Sequence, residues 1–212
     1  DIEDMHRIAD LLKGLGMSVQ KNKKNEYTLQ VIESQLQTVF PPEIARKIRS
    51  SVVVTGPLLA RTGKVVFPHP GGCVIGARPI DFFLESFKKM GASVKETDEE
   101  YYIEAKDGKL TGATIFLPIP SVTVTETIMM AGTQAKGTTT IKNAALEPEI
   151  EYLAKYLNAC GAKITGAGTP TITIKGGTLL RSRGNPYVTM PDRIEAGSFL
   201  ILAALAGKDV TI

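Results

Sequence analysis

The sequence has 212 residues, enough for one large domain or two small ones with a substantial core. Apolar residues make up 43% of it and charged residues 22%, the balance of an ordinary soluble protein. No apolar run approaches the roughly 18 to 20 residues that a membrane span needs, and no signal peptide is evident, so no membrane partner is expected. Because the sequence begins at Asp1 without a methionine, we expect a fragment, and a leader ahead of it stays open.

Charge and cysteine content exclude further classes. The net charge of +3 comes from 25 basic and 22 acidic residues, whereas a nucleic-acid-binding protein concentrates basic residues on one face. Cys73 and Cys160 are far apart in the chain, and His6 and His69 are too few and too scattered to suggest a metal site. The composition therefore predicts a protein of a reducing, cytoplasmic compartment with no nucleic-acid partner and no metal.

An internal repeat organises the chain. Two short phrases each occur three times, interleaved, at intervals of about 70 to 75 residues, which is the signature of repeated structural units. The glycines that mark the phrases are Gly16, Gly91 and Gly161 for the first and Gly63, Gly137 and Gly207 for the second.

Helical spacing of apolar residues predicts the elements of each unit. The first phrase ends an amphipathic helix, and the second ends a helix that is apolar on most faces at residues 122–135 and 192–206, as expected of helices buried on nearly all sides. The copy at residues 43–61 contains Gly56-Pro57, which should kink or split it. A strand pair, for example residues 93–95 and 101–105, separates the two helices. The predicted fold is α/β, with three repeated units, buried inner helices and outer sheets.

A segment around Cys73 breaks the repeat. Residues 68–81 contain glycines and prolines on both sides of the cysteine, which indicates a specially shaped loop rather than a strand. A buried, inert cysteine is the ordinary alternative. That alternative is preferred for Cys160, because it occupies the apolar helix position that Leu15 and Met90 hold in the other copies.

Arginines near this loop suggest an anion site. Arg78 precedes the predicted helix start at Pro79, where a cation adds to the positive end of the helix dipole unless an anion is bound. A solvated arginine is the alternative. Asp81 in the first helical turn has a structural explanation, since a carboxylate there stabilises the helix. Arg49 alone would be interpreted as a surface arginine within the 43–61 helix.

The segment Pro70-Gly71-Gly72-Cys73-Val74-Ile75-Gly76-Ala77-Arg78-Pro79 closely resembles the signature loop of the UDP-N-acetylglucosamine 1-carboxyvinyltransferase family. Residues 49–61, 143–150 and 191–195 resemble further stretches of the same family, in consistent order along nearly the whole chain. The resemblance implies a fold of two similar domains, each with three βαβαββ units, helices inside and sheets outside. It implies transfer of the enolpyruvyl group of phosphoenolpyruvate to the 3′-hydroxyl of UDP-N-acetylglucosamine, the first committed step of peptidoglycan synthesis, with no organic cofactor.

The resemblance also implies roles for individual residues. Cys73 would be the general acid that protonates the methylene carbon of phosphoenolpyruvate, and the target of the epoxide fosfomycin. Arg78 and Arg49 would supply positive charge. The residues implied to contact the nucleotide sugar are Arg78, Pro79, Ile80, Asp81, Phe82, Ser121 and Val122. Ile119 occupies a position where the family often has a nucleotide-binding lysine, which puts that contact in doubt.

The same resemblance predicts an incomplete site. The family's lysine–asparagine pair for phosphoenolpyruvate would lie upstream of Asp1, and a second domain would follow Ile212. Residues 1–190 would form the cysteine-loop domain, incomplete at its N-terminus. Residues 191–212 would either begin the second domain or fill the place of a missing buried helix. Two rival functions stay open: a non-catalytic nucleotide-sugar-binding fragment, and a shikimate-pathway enolpyruvyl transferase, against which the cysteine loop argues.

Overall fold

The computed structural model describes residues 2–23, 25–70, 80–182, 184 and 186–212. The predictions for Cys73, Arg78 and Pro79 lie outside these residues. Within the described ranges the helices are α1 (Glu3–Gly14), α2 (Pro42–Ala45), α3 (Ser51–Thr62), α4 (Asp81–Lys89), α5 (Val122–Gly132), α6 (Pro148–Ala159) and α7 (Arg193–Ala206). None of them has the length and apolar character needed to cross a membrane.

The strands of the described chain form three sheets. The first is a hairpin of β1 (Met17–Lys23) and β2 (Glu26–Val31). The second has the order β3-β5-β4 and consists of β3 (Lys64–Pro68), β4 (Ala92–Glu96) and β5 (Glu100–Ala105). The third has the order β6-β7-β9-β8 and consists of β6 (Thr114–Phe116), β7 (Thr138–Lys142), β8 (Lys163–Thr165) and β9 (Thr171–Lys175).

The layers follow the predicted plan of inner helices and outer sheets. In β7 and β9 buried and more exposed residues alternate, so one sheet face packs on the core and the other meets solvent. Helix α5 packs against α3, α4 and α6 and against strands β7 and β9, and its Ile128 and Met129 are fully buried. The α/β fold class is therefore confirmed, and its core lies between the inner helices α3 and α5 and the surrounding sheets.

The two inner helices cross at a glycine. A Cβ atom added to Gly56 would stand 2.5 Å from the carbonyl oxygen of Thr127 and 2.6 Å from its Cγ2 atom. No side chain other than hydrogen fits that space, so Gly56 sets how closely α3 approaches α5. Thr127 also donates its hydroxyl proton to the Thr123 carbonyl at 2.7 Å, which satisfies this polar group within its own helix.

The predicted helix at residues 43–61 is not split at Gly56-Pro57, because α3 continues through Pro57. It is divided instead by turn residues 46–50, which separate α2 from α3. A proline removes one backbone hydrogen bond, but packing of α3 against α5 along its length outweighs that loss. Helix propensity describes the local effect of a proline and does not include the stabilisation that a neighbouring helix provides.

Helix α7 contradicts the prediction that residues 192–206 are buried on nearly all sides. It contains no buried residue, and Phe199 and Leu205 are 53% and 82% exposed. Asp192 caps the helix by accepting hydrogen bonds from the amides of Ile194 and Glu195, so the helix forms locally. An apolar pattern predicts that a helix will be covered, but it does not say which surface covers it.

Cys160 also differs from its repeat partners. Leu15 and Met90 are 1% and 0% exposed, whereas Cys160, at the end of α6, is only partly buried. A partly buried cysteine can react with thiol reagents, so chemical experiments on Cys73 use a Cys160→Ser background.

Replacing Gly56 by alanine should destabilise the protein by about 1–3 kcal/mol, because the added methyl group overpacks the α3–α5 crossing. The urea midpoint measures this loss. Gly197→Ala is the matched control, since a Cβ there meets no atom within 4 Å and the residue lies in exposed α7. An equal midpoint for wild type and Gly56→Ala would show that the crossing tolerates a wider spacing.

Candidate functional site

The predicted substrate residues on the inner helices lie at one end of the domain. The crossing of Gly56 with Thr127 falls on the sixth residue of both α3 and α5. Arg61 near the end of α3 and Gln134 just after α5 line one cavity, so the two helices run in the same direction and both begin about 8 Å from the crossing. Arg49 therefore lies at the same end of the helix pair as Ser121 and Val122.

Arg49 lies in the turn before α3 and not within a helix as predicted. It is half-buried, and its carbonyl oxygen accepts a hydrogen bond from the Val52 amide at 3.2 Å, which helps to start α3. Arg49 therefore lies just before a helix start and not on the side of a helix.

Ser121 and Val122 begin α5. The Ser121 hydroxyl accepts a hydrogen bond from the Val124 amide at 3.4 Å, a cap that satisfies one of the unpaired amides of the first turn. Both residues are half-buried, so part of each side chain remains open to a ligand.

The start of α4 contains three of the predicted substrate residues, Ile80, Asp81 and Phe82, and their environments differ. Ile80 is 4% exposed and belongs to the core, so its side chain serves packing and only its backbone is available to a substrate. Asp81 is exposed, and Phe82 is partly buried against the core. Of these three predicted contacts, Asp81 and Phe82 are the ones with side chains that can meet a ligand.

The electrostatics at this end favour an anion. The starts of α3 and α5 carry the positive ends of the helix dipoles, and neither helix has an acidic residue in its first turn. Helix α4 differs, because Asp81 occupies its first turn. Two helix starts that lack an acidic residue in the first turn, beside Arg49, are suited to phosphate or carboxylate groups.

Sequence reasoning missed a carboxyl group in this region. Burial, followed by the charge of Glu149, raises the pKa of Glu126 on α5 from 4.5 to about 7. Glu149, at the start of α6, accepts two hydrogen bonds from the Arg193 guanidinium at 2.8 and 3.0 Å, which hold its pKa below the usual value against the opposing effect of burial. The signal in the sequence was that Glu126 is the one charged residue of an otherwise apolar helix, α5.

An open cavity of about 690 Å³ lies at the other end of the inner helices. Arg61, in the last turn of α3, lines it together with Gln134 and Lys136, which follow the last turn of α5. The cavity is therefore separated from Ser121 by the length of α5, roughly 16 Å. We assign the candidate site to the helix starts because Arg49, Ser121 and Val122 lie there.

Comparison with known proteins identifies the family of the chain and its fold. The sequence profile of the EPSP synthase (3-phosphoshikimate 1-carboxyvinyltransferase) family matches residues 1–212. The enolpyruvyl transferase NikO from Streptomyces tendae has a similar structure, with a TM-score of 0.67, 22% identity and coverage of 83% of this chain and 41% of its own. EPSP synthase from Acinetobacter baumannii gives a TM-score of 0.65, 22% identity and coverage of 85% and 40%. At this identity the structural likeness shows the fold alone.

The chain belongs to the family of enolpyruvyl (carboxyvinyl) transferases. Within that family it is 45% identical over all 212 residues to UDP-N-acetylglucosamine 1-carboxyvinyltransferase of Finegoldia magna. This chain spans 49% of the length of that relative. The resemblance inferred from the sequence is therefore confirmed, and the chain corresponds to about half of such an enzyme.

The raised pKa of Glu126 predicts a pH-dependent stability. The fold disfavours the ionised carboxylate, so wild-type stability should fall as pH rises from about 4.5 to about 7 and stay lower above that. Glu126→Gln should be more stable than wild type by on the order of 1–2 kcal/mol at pH 8, allowing for partial exposure, and equal to it near pH 4.5.

Urea unfolding at the two pH values measures this difference. Glu104→Gln is the control, because Glu104 is exposed on β5. A stability gain for Glu126→Gln that is the same at both pH values would mean that packing, and not ionisation, is responsible.

Proposed function

We propose that this chain is the nucleotide-sugar-binding, cysteine-bearing half of a UDP-N-acetylglucosamine 1-carboxyvinyltransferase. The observation that carries the proposal is the 45% identity, over the whole chain, to a relative of that name. The loop Pro70-Gly71-Gly72-Cys73 supports it, because a thiol in this segment suits the proposed chemistry.

The proposed reaction transfers an enolpyruvyl group. The Cys73 thiol gives its proton to the methylene carbon of phosphoenolpyruvate while the sugar 3′-hydroxyl adds to the neighbouring carbon. The hydroxyl proton would pass to a base outside this chain. Loss of phosphate and of one methyl proton then restores the double bond on the new ether. Every group in this step comes from the two substrates and protein side chains, and no cofactor is required.

The described residues supply binding rather than bond making. The starts of α3 and α5, together with Arg49, offer positive charge to phosphate and carboxylate groups. Ser121 and Val122 would face the nucleotide sugar from α5, and Asp81 and Phe82 from α4. Arg78 and Pro79 would join them, with Arg78 helping to hold Cys73 as a thiolate after proton transfer.

The proposal includes a second domain as a partner. Because this chain spans 49% of its relative, we expect the remaining groups that handle phosphoenolpyruvate to lie outside it, and the isolated chain to be inactive or weakly active. We assign residues 1–190 to the cysteine-loop domain and residues 191–212 to the start of the second domain. The apolar side chains that α7 exposes support this choice over a helix that fills a vacant core position.

The wider role follows from the reaction. The product would enter peptidoglycan synthesis, so the enzyme would act in cell wall biogenesis and thereby affect cell shape and division. We place it in the cytoplasm, where both substrates are made, and infer that fosfomycin inhibits it by alkylating Cys73. A shikimate-pathway transferase is the alternative. The EPSP synthase of Acinetobacter baumannii shares only 22% identity with this chain.

The first test is the mass of the intact chain after treatment with fosfomycin. In a Cys160→Ser background, we expect one adduct on Cys73, formed faster when UDP-N-acetylglucosamine is present, because the sugar nucleotide organises the site around the thiol. Cys73→Ser should give no adduct. Folding of that variant is checked by circular dichroism.

The outcomes separate the candidates. An adduct that forms at the same rate with and without the sugar nucleotide would contradict the proposed substrate. Acceleration by shikimate 3-phosphate instead would favour the shikimate-pathway alternative.

A second prediction concerns Ile119, which is 62% exposed. Ile119→Lys should bind UDP-N-acetylglucosamine about fivefold more tightly, since an added cation near a diphosphate contributes roughly 1 kcal/mol. Ile119→Gln controls for the loss of an exposed apolar side chain, and calorimetric titration at two salt concentrations measures both. A lysine variant that binds no better than the glutamine variant would place the diphosphate elsewhere.

A further inference from the structure

The repeat places α7 in the same class of helix as α3 and α5. All three helices lead into the second repeated phrase, whose last residues are Gly63, Gly137 and Gly207. Most residues of α3 and α5 are buried, whereas α7 has no buried residue. Helix α7 therefore has the sequence of an inner helix without the contacts of one.

The described elements leave one side of α3 and α5 open. A row of half-buried residues follows each helix at intervals of four, and both rows end at the cavity of about 690 Å³. The rows therefore flank one groove, which we call the inner groove. They consist of Val53, Pro57 and Arg61 on α3 and of Glu126, Met130 and Gln134 along and just after α5.

The crossing of α3 with α5 shows how neighbouring inner helices of this repeat meet. Gly56, which contacts Thr127, lies seven residues before the glycine of its phrase, Gly63. Thr127 lies ten residues before Gly137. Position −7 of one inner helix, counted from the phrase glycine, therefore meets position −10 of the next.

The same rule gives α7 complementary residues for the inner groove. Position −7 of α5 is Met130, and position −10 of α7 is Gly197, where an added Cβ meets no atom within 4 Å. Position −7 of α7 is Leu200, which is 58% exposed, and position −10 of α3 is half-buried Val53. Glycine destabilises an exposed helix relative to alanine, so Gly197 has a structural reason when another helix comes close to it.

The residues after α7 fit a second open position, the free edge of β2. Strands β3 and β7 follow α3 and α5, and each pairs antiparallel with the second strand of a hairpin, β5 or β9. Strand β2 is the second strand of its hairpin, and among the described residues it pairs only with β1. Val210 and Ile212 have the alternation that buries one face of β3, and Leu29 and Val31 expose apolar side chains on β2.

Size and charge agree with such a docking. Helix α7 is about 21 Å long and α3 about 18 Å. The last turn of α7 has no basic residue, and in the inner groove it would lie at the cavity lined by Arg61, Lys109 and Lys136, where cations stabilise the negative end of a helix. Two exchanged helices would bury on the order of 1,500 to 2,000 Å², which is the range of stable dimers.

The chain ahead of α7 is tied to the exposed face of α6. The Tyr187 hydroxyl donates to the Tyr152 carbonyl at 2.9 Å, and the Tyr187 ring centroid lies 4.6 Å from that of Tyr156. Arg193 binds Glu149 at the start of the same helix. Because these contacts make α7 extend from an outer helix, the groove that it enters is that of a second copy.

We propose that this chain forms a reciprocal dimer, in which α7 and residues 208–212 of each copy fill the inner groove and the β2 edge of the other. Exchange of identical elements between two copies gives a closed dimer with two-fold symmetry. The exchanged segment begins where the domain of residues 1–190 ends. The inference goes beyond the proposed function and does not rest on it, because it uses only the packing of the repeat.

Sedimentation equilibrium of the full chain measures the association. Wild type should show a monomer–dimer equilibrium, and Gly197→Leu should raise the dimer Kd about tenfold or more, because the added side chain overlaps the space of Met130. Lys89→Leu is the control, since it adds an exposed leucine to the outer helix α4 and should leave the Kd within about twofold. Circular dichroism of the dilute variants checks that each is folded.

A mixing experiment tests whether the exchange is reciprocal. Leu29→Lys places a charge on the β2 edge, and this variant and Gly197→Leu should each be mainly monomeric. An equimolar mixture should form a heterodimer, detected by native mass spectrometry, because both substitutions then fall in one exchange site and the other site is intact.

Three results would overturn the proposal. The first is a wild-type chain that stays monomeric at every concentration, including a monomer whose α7 becomes protected from hydrogen exchange in its own groove. The second is a dimer that Leu29→Lys dissociates and Gly197→Leu does not, which would assign association to the β2 edge alone. The third is a mixture of the two variants that contains no heterodimer.

Discussion

The close crossing of α3 and α5 is the contact on which the rest of the domain depends. Gly56 lets the two helices approach until backbone and side-chain atoms of Thr127 fill the space that a Cβ would take. Both helices start at the same end of the domain, and the outer helices of all three repeated units, α1, α4 and α6, contribute buried residues to the core around them. A wider spacing would separate Arg49 from Ser121 and divide the positive field that the two helix starts share.

Repetition is what made the fold predictable. The two phrases recur with nearly constant spacing, and the strand pair expected at residues 93–95 and 101–105 is observed as β4 (Ala92–Glu96) and β5 (Glu100–Ala105). The errors arose where tertiary packing decides. Pro57 does not interrupt α3 because α5 supports that helix, and α7 is exposed although its composition predicts burial. A sequence pattern shows that one face of a helix is apolar. Which surface covers that face depends on how the whole chain packs.

The candidate site was predictable to a different degree. The cysteine loop identified the family from local sequence, and the comparisons bear that out. The gathering of Arg49 with Ser121 and Val122 depends on helix packing, which local sequence does not encode. Glu126 was missed because one acidic residue in an apolar helix has no distinctive pattern, and its perturbed ionisation arises from neighbours distant in sequence. The side chain of Ile80 belongs to the core, a burial that its sequence neighbours alone do not show, and its predicted substrate contact stays a prediction for its backbone.

The β1–β2 hairpin has a consequence for handling this chain. Among the described residues β2 pairs only with β1, and Leu29 and Val31 on it are 52% and 37% exposed. An unpaired strand edge with exposed apolar side chains can recruit an edge from another molecule. Self-association of this chain should therefore grow with protein concentration, and charged substitutions on the outer face of β2 are the means of suppressing it without touching the helix starts.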